Sequence, residues 1–164
     1  MSRGRQSGHA GTPAALALET AGIRFIAHQY EHDAALPSFG LEAASALRVD
    51  PERVFKTLVV QADAALVVAI VPVNTSLDLK RLAAAMNAKR ARMADPELAT
   101  RKTGYVLGGI SPFGQKSRLP TILDATADRF ETILVSGGRR GFDLELAPAD
   151  LLTVTGGRLA AIGR

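Results

Sequence analysis

Two neighbouring stretches decide the fold: Val54–Gln61, VFKTLVVQ, and Ala65–Val73, ALVVAIVPV. Both are rich in β-branched residues, and only Ala62-Asp63-Ala64 separates them, so together they read as a β-hairpin. Pro72 belongs at a strand end or a sheet edge, because it cannot donate to a ladder. The first strand carries an anomaly. Side chains alternate along a strand, so Val54, Lys56, Leu58 and Val60 share one face, and Lys56 is its only charge. A core-facing ammonium must find an anion, lose its proton or open onto a pocket. The structural alternative is a lysine near a strand end that snorkels to water.

Working outward, Thr12-Pro13 supplies a hydroxyl N-cap and a proline at the first helical position, and Gly22 supplies the stop. Arg24–Tyr30 alternates as a strand, Phe39–Arg48 is alanine-rich and helical, and Asp50-Pro51 starts a turn. Beyond the hairpin, Asp78–Met86 spaces Leu79, Leu82 and Ala83 on one helical face, and Asp95-Pro96 opens another helix. Short strands are predicted at Tyr105–Leu107, Thr121–Asp124, Thr132–Val135, Leu144–Leu146 and Arg158–Ile162, with a helical turn at Ala147–Leu152. Helices and strands do not alternate regularly. That argues for α+β with a mixed or partly closed sheet, against a doubly wound parallel one. Residues 1–11 read as a flexible extension, and no linker divides the remainder.

With 164 residues and 47% hydrophobic content, the chain is long enough to bury a core without staples. It contains no cysteine, which excludes disulfides, thiolate nucleophiles and cysteine-bound zinc and fits a reducing compartment. The N-terminal stretch MSRGRQSGHAG lacks the apolar core of a secretory signal, and the run Ala64–Val73 is far short of a membrane span. The formal charge is +4. Seven basic residues (Lys80, Arg81, Lys89, Arg90, Arg92, Arg101 and Lys102) face three acidic ones between Asp78 and Lys102. Such a patch attracts phosphate backbones, although a solvated helical face would show the same charges.

Gly108–Gly114, GGISPFG, has paired glycines that allow close backbone approach to a ligand and can present amide donors. It is no P-loop, because Lys116-Ser117 falls one place late. Ser136–Gly141, SGGRRG, joins two predicted strands, with Asp143 just beyond. His28, Tyr30 and His32 would share a strand face, but two histidines without a third ligand are poor evidence for zinc. No serine stands in a nucleophile elbow. Residue patterns alone therefore reach an α+β domain with a basic pocket.

Taken in order, TPA at Thr12, HQYEHD at His28, FGLEAASAL at Phe39, VFKTLVV at Val54, TGYVLGGISPFGQK at Thr103 and VSGGRRGFDLELAP at Val135 resemble the YbaK family. These are Cys-tRNA(Pro) deacylases related to the editing insertion of prolyl-tRNA synthetase. The likeness spans about residues 12–162; Leu41 stands where many relatives carry an acidic residue. The resemblance implies a mixed, partly closed pseudo-barrel sheet with flanking helices, and one deacylase domain over 12–164. It implies cytoplasmic trans-editing that releases cysteine from mischarged Cys-tRNA(Pro), with Cys-tRNA(Cys) as a second substrate, through attack by the substrate's own thiol. A deacylase for Ala- or Ser-tRNA that uses bound water, or a non-catalytic aminoacyl-RNA binding module, are the alternatives. The implied partners are the 3′ end and acceptor stem of an aminoacylated tRNA and, transiently, prolyl-tRNA synthetase; no DNA, membrane, metal or cofactor is implied. By motif position, Lys56, Gly108 and Gly109 would be catalytic, and Tyr30, Thr57, Ser136 and Asp143 would bind substrate. In that scheme the Gly108–Gly109 amides hold the carbonyl oxygen, Lys56 faces the ester or terminal phosphate, and Asp143 receives the α-ammonium.

Overall fold

The computed structural model describes residues 11–31 and 39–164, so the reading of the N-terminal extension and of His32 falls outside the described residues. The hairpin forms as expected. β2 (Phe55–Ala62) and β3 (Ala65–Pro72) pair antiparallel along their whole length, Phe55 opposite Pro72 and Ala62 opposite Ala65. Asp63 makes the tight turn at positive φ. Its carboxylate accepts the Lys89 and Arg90 amides, which ties the hairpin tip to the segment entering β4 (Ala91–Met93).

Two sheets form. The larger has the order β4-β2-β3-β5-β8, with β5 at Thr121–Asp124 and β8 at Arg158–Ala160. β5 runs parallel to both its neighbours. The smaller has the order β1-β7-β6, all antiparallel, from β1 (Ile26–Gln29), β7 (Phe142–Leu146) and β6 (Ile133–Arg139). The architecture is mixed α+β. The sheets do not close into a barrel: they meet at a single parallel bridge, Val54 to Leu134.

The main core lies between the sheets. Phe55, Val59, Val68, Ile70 and Leu123 from one side meet Ile133, Val135, Phe142 and Leu144 from the other. Helix α1 (Pro13–Thr20) closes one flank through Ala14, Ala15 and Leu18, and α5 (Pro148–Thr155) another through Leu151. Thr12 caps α1 by accepting the Ala15 amide at 3.2 Å. A second cluster buries Val60, Val67, Ala69, Val71 and Ile122 against Leu82 of α3 (Leu79–Ala85). A third sits at the junction of the sheets, where Ala43 and Ala44 of α2 (Phe39–Leu47) cover Val54, Val73 and Leu134.

Two sequence expectations change. The basic stretch from Asp78 to Lys102 is not one helical face; strand β4 separates α3 from α4 (Pro96–Thr103). Tyr105–Leu107 is not a strand. Tyr105 is buried and donates its hydroxyl to the Phe113 carbonyl at 2.6 Å, which anchors a loop and leaves Val106 and Leu107 exposed.

Candidate active site

β2 and β6 touch at Val54–Leu134 and pair no further, so a wedge opens between them. β4 covers the same edge of β2 only from Val60 onward. The carbonyl of Val54 accepts from Val73, toward β3, whereas that of Val59 accepts from Ala94, on the opposite edge. By alternation, the backbone groups of Thr57 face the open edge. A cavity of about 400 Å³ fills the wedge. Val54–Val59 form one wall, Ser136, Arg139 and Asp143 another, and Leu107, Gly108 and Ile110 a third. Met93, Ala94, Pro96 and Ala99 add apolar lining, and Tyr30 lines the cavity as well.

Lys56 is half-buried on this wall. Burial holds the pKa of its ammonium below the ordinary lysine range, and no anion among the described residues pairs with it. The lysine thus opens onto a pocket, the third of the three outcomes its sequence position allowed. Thr57 is buried, and its hydroxyl oxygen has no hydrogen-bond partner among the described residues.

The opposite wall follows from sheet register. Asp143 of β7 lies directly across from His28 on one side and Ser136 on the other, so the three share a face. The next residues on that face are Tyr30 of the β1 segment and, in the other direction, Glu145 of β7. The opposite face carries Phe142, Leu144 and Val135 into the core. Asp143 is only 6% exposed, and burial pushes its carboxyl up to about 7. No hydrogen bond or cation among the described residues offsets that burial. Burial also raises the pKa of the Tyr30 hydroxyl, and the nearby Asp143 charge adds to it. The Ser136 hydroxyl accepts the Gly138 amide at 3.1 Å, within an irregularity of register between Ser136 and Arg139.

The two glycines of GGISP do different work. Gly108 has φ 86°, a left-handed conformation that favours glycine, and its N–H has no partner among the described residues. Gly109 donates its N–H to the Val106 carbonyl at 3.0 Å and does not line the cavity. A Cβ there would stand 3.0 Å from the Arg139 Cα, so Gly109 lets the loop pack on the bulge of β6.

Six of the seven residues singled out in the sequence therefore line one cavity, and Gly109 braces its wall from behind. The sequence reading missed Arg139 and Met93. Arg139 follows directly on the glycines of SGGRRG and stacks on the Phe142 ring at 4.5 Å. Among the described residues no histidine lines the cavity, and no three His, Asp or Glu side chains could share a metal ion.

The profile of the aminoacyl-tRNA editing domain family matches residues 39–154. The chain belongs to this family. It is 42% identical over 120 residues to a protein of Enterococcus faecalis named as Cys-tRNA(Pro)/Cys-tRNA(Cys) deacylase EbsC, covering 73% of each chain. It is 32% identical over 114 residues to a proline–tRNA ligase of Acidithiobacillus ferrooxidans, covering 70% of this chain and 18% of that enzyme. A solved structure described as a trans-editing enzyme for prolyl tRNA synthetase superposes with a TM-score of 0.81 at 25% identity, over 97% of this chain and 98% of that one. The family resemblance read from the motifs is borne out, and so is the α+β architecture. No helix among the described residues is long and apolar enough to cross a membrane.

Proposed function

We propose that this chain is a trans-editing deacylase that releases cysteine from mischarged Cys-tRNA(Pro), with the aminoacylated 3′ adenosine seated in the wedge between β2 and β6. One observation carries the reading. A buried carboxyl, Asp143, and a half-buried ammonium, Lys56, line the same largely apolar cavity, and neither has a partner among the described residues. Unpaired charges of both signs suit a zwitterionic substrate end: an α-ammonium for Asp143, and an ester or phosphate oxygen for Lys56.

The chemistry needs no protein nucleophile. An aminoacyl ester is already activated, and cysteine brings its own thiol. Sulfur attacks the carbonyl carbon of the same residue. The new bond joins sulfur to that carbon, the carbon–ribose oxygen bond breaks, and the thiol proton ends on the ribose oxygen. The products are a cyclic thioester and free tRNA. Holding sulfur against carbonyl is an orientation effect, and aligned intramolecular reactions gain up to about 7–11 kcal/mol. The unpartnered Gly108 amide is the donor available to the carbonyl oxygen as it gains charge. The Gly109 amide is already engaged with Val106. Alanine offers no sulfur, and serine offers a poorer nucleophile at neutral pH. Proline, the correct amino acid, cannot supply the attack.

The likeness to prolyl-tRNA synthetases supports a transient complex with that synthetase as the source of tRNA selectivity. Exposed Arg92 on β4 adjoins Met93 at the cavity, which suits steering of an acceptor stem. The test is a panel of tRNA(Pro) charged with Cys, Ala, Ser or Pro, run with and without prolyl-tRNA synthetase. We expect fastest release from Cys-tRNA(Pro). Equal release of alanine would point instead to bound water as the nucleophile, and no release from any member would leave only a binding module.

A further inference from the structure

We propose that Glu145, which lies outside the cavity, is the positioning residue that holds its walls in register. Its side chain is 18% exposed and ties together three other segments. One carboxylate oxygen meets His28 Nε2 at 2.8 Å. The other accepts the Thr132 hydroxyl at 2.6 Å and Arg53 Nη2 at 3.0 Å. Arg53 also donates to the Thr132 carbonyl at 3.1 Å and to its hydroxyl oxygen at 2.7 Å, so the cluster is braced on itself.

Each anchored segment carries a cavity residue a few positions away. His28 precedes Tyr30 by two residues, Arg53 precedes Lys56 by three, Thr132 precedes Ser136 by four, and Glu145 follows Asp143 by two. The Tyr30 amide then bonds the Gly141 carbonyl at 2.9 Å and completes the β1 edge. Between the two sheets, among the described residues, the backbone supplies only the Val54–Leu134 bridge. Without further ties, β2 and β6 could shear about that point. The Arg53–Glu145–Thr132 group spans the junction, one residue before Val54 and two before Leu134. Burial alone would raise the pKa of Glu145, but the hydrogen bonds from Thr132 and His28 and the charges of His28 and Arg53 together hold it below the usual carboxylate range. Bonds to an ionised carboxylate are shorter and stronger than neutral ones, as a clamp requires.

The inference rests on the deacylase reading for its kinetic consequence, but not for its physical one. In Glu145→Gln, which keeps the shape and loses the charge, kcat on Cys-tRNA(Pro) should fall about tenfold with KM within about twofold, because misplacement by a fraction of an ångström degrades orientation more than binding. Thr132→Val should fall less, and the double variant should fall by less than the product of the two single losses, since both act on the one Thr132–Glu145 contact. Amide hydrogen exchange separates clamping from general stability. The Tyr30 amide should exchange faster in Glu145→Gln while the Ile70 amide, in the buried centre of β3, keeps its wild-type rate. Equal acceleration at both amides would reduce Glu145 to an ordinary stabilising residue, and no change at either would remove the clamp. Should the wild-type protein release nothing from any charged tRNA, the deacylase reading fails, and the exchange comparison still decides the clamp.

Discussion

Asp124 and Asp143 are both aspartates on strands, and both are nearly sealed from water, at 3% and 6% exposure. Their surroundings could hardly differ more. Asp124 ends β5 in the larger sheet and accepts the Ile162 and Gly163 amides at 3.0 and 2.9 Å and the Thr126 hydroxyl and amide at 2.6 and 3.2 Å. Burial alone would raise its pKa, but these four bonds lower it below the ordinary range. Asp143 has the burial without the bonds, and its pKa moves up to about 7. A buried polar group left unpaired costs stability. Where one persists beside a cavity, we propose that a ligand supplies the missing partner; a fully paired one serves the fold. Lys56 and Thr57 stand with Asp143, and Asp124 with the fold.

The largest test of that division is Lys56→Met, which keeps the aliphatic stem and removes the charge. Release of cysteine from Cys-tRNA(Pro) should fall about 10²–10³-fold, as when a preorganised charge or donor is lost from an active site. The melting temperature should hold or rise. A wild-type rate would take Lys56 out of the site. Asp124→Ala should show the inverse. It strands the Ile162 and Gly163 amides and should lower folding stability by about 3 kcal/mol in a denaturant titration. Turnover per folded molecule should be unchanged. A loss of turnover beyond the unfolded fraction would blur the contrast between the two aspartates.

Asp143→Asn comes next, with a cysteine-release rate about 30-fold lower if Asp143 receives the α-ammonium, a charge-assisted bond of roughly 2 kcal/mol. Its pH signature is sharper. The folded pKa lies above the unfolded value, so the favourable contribution is fully present below pH of about 4 and is lost as pH rises through about 7. Wild-type stability should therefore decline over that window. The asparagine variant should lack this part of the decline. The slope from Asp124 has the opposite sign. Its folded pKa is depressed, so its contribution is present above the unfolded value of about 4 and is lost as pH falls through the folded value. Urea titrations of both variants from pH 3 to pH 8 would resolve the two slopes.

Much of this was legible in the sequence, and the rest was hidden for physical reasons. Local chemistry announced itself: Thr12-Pro13 starts α1, Asp95-Pro96 starts α4, and the β-branched runs form the hairpin. Lys56 was visible as a charge in an apolar pattern. What the sequence could not show is that β2 has an open edge at Thr57, since edge or central status depends on which strands pair elsewhere. Nor could it show that Asp143 sits between His28 and Ser136, because that row exists only once the register is fixed. The three-residue strand β4 is not legible in the sequence because Lys89-Arg90-Ala91-Arg92 has no period-2 apolar pattern. Tyr105–Leu107 passed for strand on composition, although the Tyr105 hydroxyl and the Thr103 side chain hold it as a loop. Glu145 drew no notice at all, since its partners lie 117, 92 and 13 residues away.

Thr57→Val is the smallest expected effect and the most discriminating. The Thr57 hydroxyl oxygen is sealed from solvent and has no partner among the described residues, so it resembles Asp143 in pairing but differs in access. Valine has nearly the same shape and removes the orphan. Folding stability should rise by about 1 kcal/mol, the lower end of the cost of an unsatisfied buried hydroxyl. If substrate entry moves the β2 edge enough to give that hydroxyl a partner, kcat/KM for Cys-tRNA(Pro) should fall about fivefold, or roughly 1 kcal/mol of transition-state binding. A variant that gains stability and keeps wild-type kcat/KM would show that lacking a partner is not enough to mark function. The distinguishing property of Lys56 and Asp143 would then be an unpaired charge on a cavity wall, with Thr57 a local imperfection of packing beside it.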